Sequence, residues 1–528
     1  MAGILVAGTS SDAGKSLVTV GLCRALRRRG IDVAPFKAQN MSNNSMVVAD
    51  GEIGRAQYLQ ALAAGVEPST AMNPVLIKPG TDRRAHVVLR GRADGALEAG
   101  QYATGRRHLA ASAFEAFREL ESAHQLVVCE GAGSPAEINL RGGDYVNMGL
   151  ARQFNLPVVL VGDIDRGGVL ASIYGTWALL EHEDRQLLKG YVINKFRGDP
   201  SVLAPGLEEI SRRTGLTNFG VLNWLDGVWL DGEDALAIGG WRRSTASVAQ
   251  PLRVAVVRLP RVSNATDVDA LAAEPGLRVE VTADPGVCAT ADLLVLPGTR
   301  ATVDDLAWLR SRGIDRVVAA RHAEHKPVLG ICGGYQMLGR LIVDEVERAS
   351  TSSATATNST GSATGTTTQA STGSATESDG PSSFPEPVEG LGLLPLRVDF
   401  HPDKVLDRPT GHWQGQTTTG YEIHHGRPTR LAEPDEDFLD GMRVGTTWGT
   451  HWHGALEHDS FRRAWLTRVA EQAGHPWRPS PDAPGFGALR ERMIETLADA
   501  IEEQLDVDAL LALTTPNPAL TSTNPEEN

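Results

Sequence analysis

Cysteine is scarce in this chain: four in 528 residues. Cys23, Cys129, Cys288 and Cys332 lie far apart and form no Cys-x-x-Cys pair. That spacing argues against a disulfide framework and fits a reducing compartment, with any important cysteine acting alone. Long apolar runs are also missing; no stretch approaches the roughly 18–20 residues of a membrane helix. Positive charge is in deficit, with 50 Lys and Arg against 65 Asp and Glu and a net charge of −15. No basic stripe offsets it, and "RALRRRG" (24–30) reads as a solvated helix end, so no nucleic-acid partner and no membrane are expected. The N-terminus runs straight into an apolar strand pattern, and no signal peptide is expected. What is present is ordinary for a globular protein: 41% apolar residues, in a chain long enough for two or three domains. The expectation is a soluble, cytoplasmic, multidomain protein.

Short apolar runs alternate with helical patterns through the first 225 residues, and a first domain, ATP-dependent and carboxylate-activating, is expected over 1–235. "GILVAG" (3–8), "QLVVCEG" (125–131), "PVVLVGD" (157–163) and "GYVINKF" (190–196) read as strands buried on both faces. Amphipathic stretches such as 15–29, 54–64, 144–154 and 168–182 separate them, which predicts α/β architecture around a parallel sheet. Periodicity fades at 236–250, where a linker is expected. A second α/β series, 251–470, includes "RVAVVRL" (253–259), "LRVEVTA" (277–283), "DLLVLPG" (292–298) and "KPVLGIC" (326–332). It is interrupted at 349–388 by a run of Ser, Thr, Ala and Gly with too little apolar surface to offset the entropy of ordering, so a disordered insertion is expected there. Residues 471–528 are expected to form a C-terminal helix and a frayed tail.

"GTSSDAGKS" (8–16) follows the first strand and opens the first helix. Glycines let backbone N–H groups turn inward around phosphate oxygens, and the helix N-terminus adds partial positive charge. Gly8, Gly14, Lys15 and Ser16 are therefore candidates for binding ATP, with Lys15 reaching the terminal phosphates and Ser16 ligating Mg²⁺. Five residues separate Gly8 from Gly14, one more than in the usual phosphate loop. That length resembles dethiobiotin synthetase and its relatives, in which ATP activates a carboxylate. The resemblance implies a role for Lys37 in "VAPFKAQN" near the phosphates and for Glu130 in "CEGAGS" near the metal. Asn194 in "INKF" is a candidate reader of the adenine edge, and Asp163, with Asp165 nearby, a candidate for positioning Mg²⁺ or an acceptor carboxylate.

"VLGICGGYQML" (328–338) carries a second chemistry. Cys332 ends a buried strand, and two glycines lead from it into a helix. Such a turn lifts a nucleophile out of the sheet and frees N–H groups for an oxyanion. "THWHGALEHDSFR" (450–462) supplies His451 and His453 as candidate bases. The pattern resembles the class I glutamine amidotransferases, which implies Cys332 as nucleophile and His453 as proton carrier. It also implies Gly298 in "LPGTRATVDDL" and Gly333 as oxyanion-hole donors. One departure stands out: the glutamate that many of these enzymes carry two residues after the histidine is Ala455 here. The third triad member is missing or comes from elsewhere. A metal site at His424–His425 and His451–His453 lacks matching Cys or carboxylate spacing.

A carboxylate activator joined to a glutaminase makes an acyl phosphate in one half and ammonia in the other, and a protected path for ammonia is expected. "FKAQNMSNNSMVV" (36–48), "EIGRAQYLQALAAGVEP" (52–68), "MNPVLIKP" (72–79), "CEGAGSPAEINL" (129–140), "GDIDRGGV" (162–169), "INKFRGD" (193–199) and "GYEIHHGR" (420–427) resemble the cobyric acid synthase family. The resemblance covers residues 2–465 apart from the insertion. It implies L-glutamine-dependent amidation of the b, d, e and g carboxylates of adenosylcobyrinic acid a,c-diamide, one ATP per amide. Gln39, Asn40, Asn43, Asn44 and Glu52 are then candidates for the acceptor side, since Asn and Gln amides can donate to carboxylates and accept from amides. The related a,c-diamide synthases act on other side chains of the same ring, and "QNMSNNS" and "SPAEINL" favour the first family. A partitioning-type ATPase switch is disfavoured, because Lys15 is the only lysine in the loop and the C-terminal segment is acidic. A degenerate corrinoid-binding scaffold would have lost Cys332, His453 or Lys15, and all three are present.

Overall fold

The computed structural model describes residues 3–81, 84–98, 107–228, 250–346 and 386–514. Apart from its edges, the linker expected at 236–250 and the insertion expected at 349–388 lie outside the described residues, as does the chain beyond 514. The chain divides into two compact units, Met1–Ile238 with Pro484–Asn528, and Gly239–Ala483.

The first unit is built on six parallel strands: β1 (Gly3–Gly8), β2 (Val33–Phe36), β3 (Leu126–Glu130), β4 (Val158–Asp163), β5 (Leu188–Phe196) and β6 (Thr217–Asn223). Their spatial order is β6-β5-β4-β1-β3-β2. Every residue of β1, β3 and β4 is buried, because helices cover both faces of the sheet and leave no side for polar alternation. The chain leaves β1 toward β2 on one side and later returns to β4 on the other. The carboxyl end of β1 is therefore the switch point where such sheets open a crevice, and the glycine loop sits there. Helix α1 (Lys15–Arg28) follows the loop, and α2 (Arg55–Ala64) packs beside it.

Two features of this unit were not read from the sequence. Residues 39–54 and 75–98, on either side of α2, form short strands, with Gln39–Met41, Val75–Thr81, Arg84–Leu89 and Arg92–Glu98 in one four-stranded sheet and Ser45–Val48 paired with Gly51–Gly54. The stretch 471–528, set apart as one C-terminal region, is divided between the units at Pro484. Its helix Phe486–Gln504 packs on α1. A Cβ at Gly21 of α1 would lie 2.6 Å from Ile501 Cγ1 and 2.9 Å from the Leu497 carbonyl oxygen, so the glycine permits close helix approach. Arg24, itself buried, pairs with Glu491 and Glu495 across that contact.

The main sheet of the second unit has seven strands: β7 (Leu252–Val257), β8 (Leu277–Thr282), β9 (Leu293–Leu296), β10 (Val328–Ile331), β11 (Glu436–Phe438), β12 (Gly441–Val444) and β13 (Thr447–Thr450). Their order is β8-β7-β9-β10-β13-β12-β11, parallel through β13 and antiparallel beyond. Strands β9, β10 and β13 are neighbours, so the segments leaving their carboxyl ends emerge side by side. Those segments carry Gly298, Cys332 and His453. Trp448, Phe461 and Trp465 pack fully buried beneath this edge with Phe438.

Candidate active site

In the first unit the glycine loop closes tightly on itself. Gly14 has φ +94°, and a Cβ there would lie 2.0 Å from Asn194 Nδ2. A Cβ at Gly8 would lie 2.9 Å from the Ser10 carbonyl oxygen and 3.0 Å from Lys15 Nζ. Lys15 Nζ donates to the carbonyls of Ser10, at 2.9 Å, and Gly133, at 3.3 Å, and so spans the loop mouth. Asn194, expected at the adenine edge, braces the loop from below. Its Nδ2 donates to the Ala13 carbonyl at 2.9 Å, and its Oδ1 accepts from the Lys195 N–H at 2.8 Å.

Glu130 is the hub of this site and is fully buried. Its Oε1 accepts from Ser16 Oγ at 2.8 Å and from Lys37 Nζ at 2.7 Å, and its Oε2 accepts from Gln60 Nε2 at 2.5 Å. Burying this carboxylate is feasible because a lysine and two further donors surround it. Asp163, expected to join Ser16 and Glu130 at a metal, is engaged elsewhere. Its Oδ2 pairs with Lys195 Nζ at 2.7 Å, and its Oδ1 accepts from the Asp165 N–H. Among the described residues no group of three or more His, Cys, Asp or Glu side chains is arranged to hold a metal ion.

Four of the acceptor-side candidates, Gln39, Asn40, Asn44 and Glu52, are buried, and Asn43 is half-buried. Gln39 Oε1 accepts from Tyr145 OH at 2.6 Å, and Asn40 Nδ2 donates to Gln57 Oε1 at 3.1 Å. Glu52 is buried and pairs with Lys78, which also donates to Ser45 Oγ at 2.9 Å. The Asn44 N–H donates to Ser42 Oγ, while Asn43 Oδ1 is buried with no hydrogen-bond partner among the described residues. Sequence reasoning did not single out Gln57, Gln60, Lys78 or Tyr145. The spacing of the two glutamines on one helix face was the available signal.

In the second unit Cys332 occupies the turn between β10 and the short helix α3 (Gly333–Leu338). Its φ is +49°, unusual for a residue with a side chain. The turn is locked: the Cys332 N–H donates to the Thr450 carbonyl at 2.8 Å, and a Cβ at Gly334 would lie 2.0 Å from the Leu296 carbonyl oxygen. A Cβ at Gly333 would lie 3.0 Å from Thr299 N, and one at Gly298 would lie 3.0 Å from His453 Cε1. The loops carrying both candidate oxyanion donors thus adjoin the cysteine turn and the histidine. Burial raises the thiol pKa values of Cys23 and Cys129, and that of Cys288 to about 11.

The partner of His453 comes from far upstream. His453 Nδ1 donates to Asp267 Oδ2 at 2.6 Å, and the Gly454 N–H donates to Asp267 Oδ1 at 3.0 Å. Burial disfavours the imidazolium, but the charges of Asp267 and Cys332 outweigh it and raise His453 to about 10. Although Cys332 acts on this titration, Nε2 and the sulfur do not form a well-aligned hydrogen bond. Tyr421 stacks on the imidazole, with centroids 5.2 Å apart, and exchanges backbone hydrogen bonds with His453. The position vacated by Ala455 is therefore filled by Asp267, in the turn Ala265–Val268. Sequence spacing gave no sign of it.

The other histidines have separate partners. His451 Nδ1 donates to Asp440 at 2.8 Å; burial would raise the Asp440 carboxyl, but its bond to His451 and the imidazolium charge hold it low. His424 stacks on His451 with centroids 4.1 Å apart, and burial lowers its pKa.

Comparison with known proteins agrees with this division. Residues 4–236 match the family model described as "CobQ/CobB/MinD/ParA nucleotide binding domain". Residues 253–368 and 372–461 match "CobB/CobQ-like glutamine amidotransferase domain". The chain is 61% identical to a cobyric acid synthase of Cutibacterium acnes, over 97% of this chain and the whole of that protein. It is 54% identical to one of Mycolicibacterium gilvum, over 98% of each chain. With one of Mycobacterium tuberculosis strain H37Ra it shares 53% identity over 97% of each chain. Identity of this extent, spanning both the glycine-loop unit and the Cys332–His453–Asp267 unit, places the chain in the cobyric acid synthase family.

Proposed function

We propose that this chain performs the ATP-dependent, glutamine-hydrolysing amidation of the b, d, e and g side-chain carboxylates of adenosylcobyrinic acid a,c-diamide. The observation that carries this reading is the presence, in one chain, of a Cys332–His453–Asp267 constellation and a glycine loop joined to the Ser16–Glu130–Lys37 cluster.

In the glutaminase half, the Cys332 sulfur attacks the side-chain carbonyl carbon of glutamine, and the carbonyl π-electrons move onto oxygen. The N–H groups of Gly298 and Gly333 hold that oxyanion. A histidine raised to about 10 holds a proton at neutral pH, and His453 gives that proton to the departing ammonia as the C–N bond breaks. Water, deprotonated by His453, then cleaves the thioester and releases glutamate. Asp267 keeps Nδ1–H pointed away from the reacting atoms and favours the imidazolium.

In the other half, a carboxylate oxygen of the corrinoid takes the γ-phosphoryl group of ATP and releases ADP. Ammonia attacks the acyl carbon, phosphate leaves with the electrons of the C–O bond, and the amine nitrogen loses a proton to give the amide. Gly8, Gly14 and Lys15 would cradle the phosphates, with Asn194 bracing the loop. The hard oxygen donors Ser16 and Glu130, 2.8 Å apart, suit Mg²⁺ and would hold it. Mg²⁺, when bound, neutralises phosphate charge as ADP departs. Lys37 would share that task, and Gln39, Asn40, Asn43, Asn44 and Glu52 would line the acceptor. Among the described residues no helix is long and apolar enough to cross a membrane, and the reading places the reaction in the cytoplasm.

The test is stoichiometry. Glutamate and ADP release should both rise when the a,c-diamide is added to protein, MgATP and glutamine, in equal amounts and matching the amide formed. ADP release indifferent to the diamide would contradict the proposal.

A further inference from the structure

We infer that Gln57 and Gln60 form a seat for neutral ammonia in the amidation site; the inference rests on the function proposed above. Both lie on α2 one turn apart, and both are fully buried. Gln57 Oε1 accepts from Asn40 Nδ2, so the free end of its amide is the NH₂ group. Gln60 Nε2 donates to the Glu130 carboxylate, which can only accept, so its free end is the carbonyl. Gln57 Nε2 and Gln60 Oε1 are buried with no hydrogen-bond partner among the described residues. Such atoms are uncommon in native proteins and call for an explanation.

An open donor and an open acceptor on side chains one helical turn apart fit a small molecule that accepts one hydrogen bond and donates another. Ammonia has one lone pair and three N–H bonds. It can accept from Gln57 and donate to Gln60. Ammonium has no lone pair and cannot satisfy Gln57, and Lys37, 2.7 Å from the same Glu130 that holds Gln60, opposes a second cation. The seat therefore favours the nucleophilic form over the inert one. A close fit is enforced nearby, because a Cβ at Gly54 would lie 2.5 Å from both Asn40 Nδ2 and Gln57 Oε1.

Gln57→Glu tests this directly. It keeps the acceptor that Asn40 uses and replaces the open donor with a carboxylate oxygen. The full chain would be assayed with MgATP, the a,c-diamide and ammonium chloride as nitrogen source, without glutamine. The KM for total ammonium should rise about tenfold, the effect of one buried hydrogen bond. The KM values for ATP and diamide should stay unchanged, as should glutamine hydrolysis at Cys332. Wild-type rate at low ammonium should climb with pH as neutral ammonia increases, and the climb should be shallower in the variant. Gln57→Met, which adds no charge, should shift the ammonium KM in the same direction. An unchanged ammonium KM would show that the pair holds ordered water only. A rise confined to the diamide KM would show that it holds the corrinoid; either result overturns the inference. Failure of wild type to amidate the diamide from ammonium or glutamine would instead overturn the underlying function.

Discussion

Asp267 and His453 stand 186 positions apart in the chain and 2.6 Å apart in the fold. Their contact supplies what the local sequence around His453 lacks. Asp267→Asn keeps a side chain of the same shape but removes the charge that favours the imidazolium. Glutamine-dependent amidation should fall about 10²–10⁴-fold, the range for disabling a general acid–base, while amidation from ammonium chloride stays near wild type. Parallel rate measurements with the two nitrogen sources check this; equal loss from both would mean that Asp267 serves the fold and not the glutaminase.

The same contact makes a statement about stability and pH. His453 is raised from 6.5 to about 10 in the folded protein. A raised basic group contributes its full stabilisation below about pH 6.5 and loses it as pH rises through about 10. The difference in unfolding free energy between wild type and Asp267→Asn should therefore be largest near pH 6 and shrink toward pH 10. Denaturant titrations at both pH values measure it.

Glu130 joins the loop hydroxyl Ser16 to Lys37 and Gln60. Glu130→Gln should abolish amidation from either nitrogen source and leave glutamine hydrolysis intact. It should also destabilise the protein by about 3–5 kcal/mol, because Lys37 is left buried without its counter-charge. Glu130→Gln with Lys37→Met should recover part of that stability and none of the activity. Unfolding curves and amide assays on the single and double variants separate the two roles.

The parts of this protein that were legible from sequence are local. "GILVAG" and "PVVLVGD" read as buried strands because their apolar runs are continuous, and the structure buries every residue of β1 and β4. Gly14, Lys15 and Ser16 lie at a strand-to-helix junction, where short spacing alone defines the loop. What the sequence did not reveal depends on long-range placement. Asp267 is one of many aspartates, and only the packing of Ala265–Val268 against the loop after β13 distinguishes it. The pairing of Asp163 with Lys195, adjacent to Asn194, likewise depends on placement in the fold. The strands of residues 39–98 were missed because short polar segments such as "QNM" carry no clear period.

The C-terminal helix offers a prediction that needs no substrate. Met493, Ile494, Leu497 and Ile501 are buried in the same core as Val18, Leu22 and Leu26 of α1. Ending the chain before Phe486 would expose them, at roughly 1.5–3 kcal/mol each, and remove the Glu491 and Glu495 partners of Arg24. Because Lys15 and Ser16 open α1, ATP affinity should fall with stability. Calorimetric titration with ATP and thermal unfolding test the pair together; unchanged ATP affinity would show that the loop is independent of that packing.

The central claim is that nitrogen released at Cys332 becomes corrinoid amide. Its most direct test is mass spectrometry of the chromatographically separated corrinoid product, made with MgATP from unlabelled or amide-¹⁵N glutamine. The account predicts a product one mass unit heavier for every amide formed from labelled glutamine. It also predicts no amidation from glutamine by Cys332→Ala, which should still amidate from ammonium chloride. Unlabelled amide nitrogen in the wild-type product, or glutamine-dependent amidation by Cys332→Ala, would contradict it.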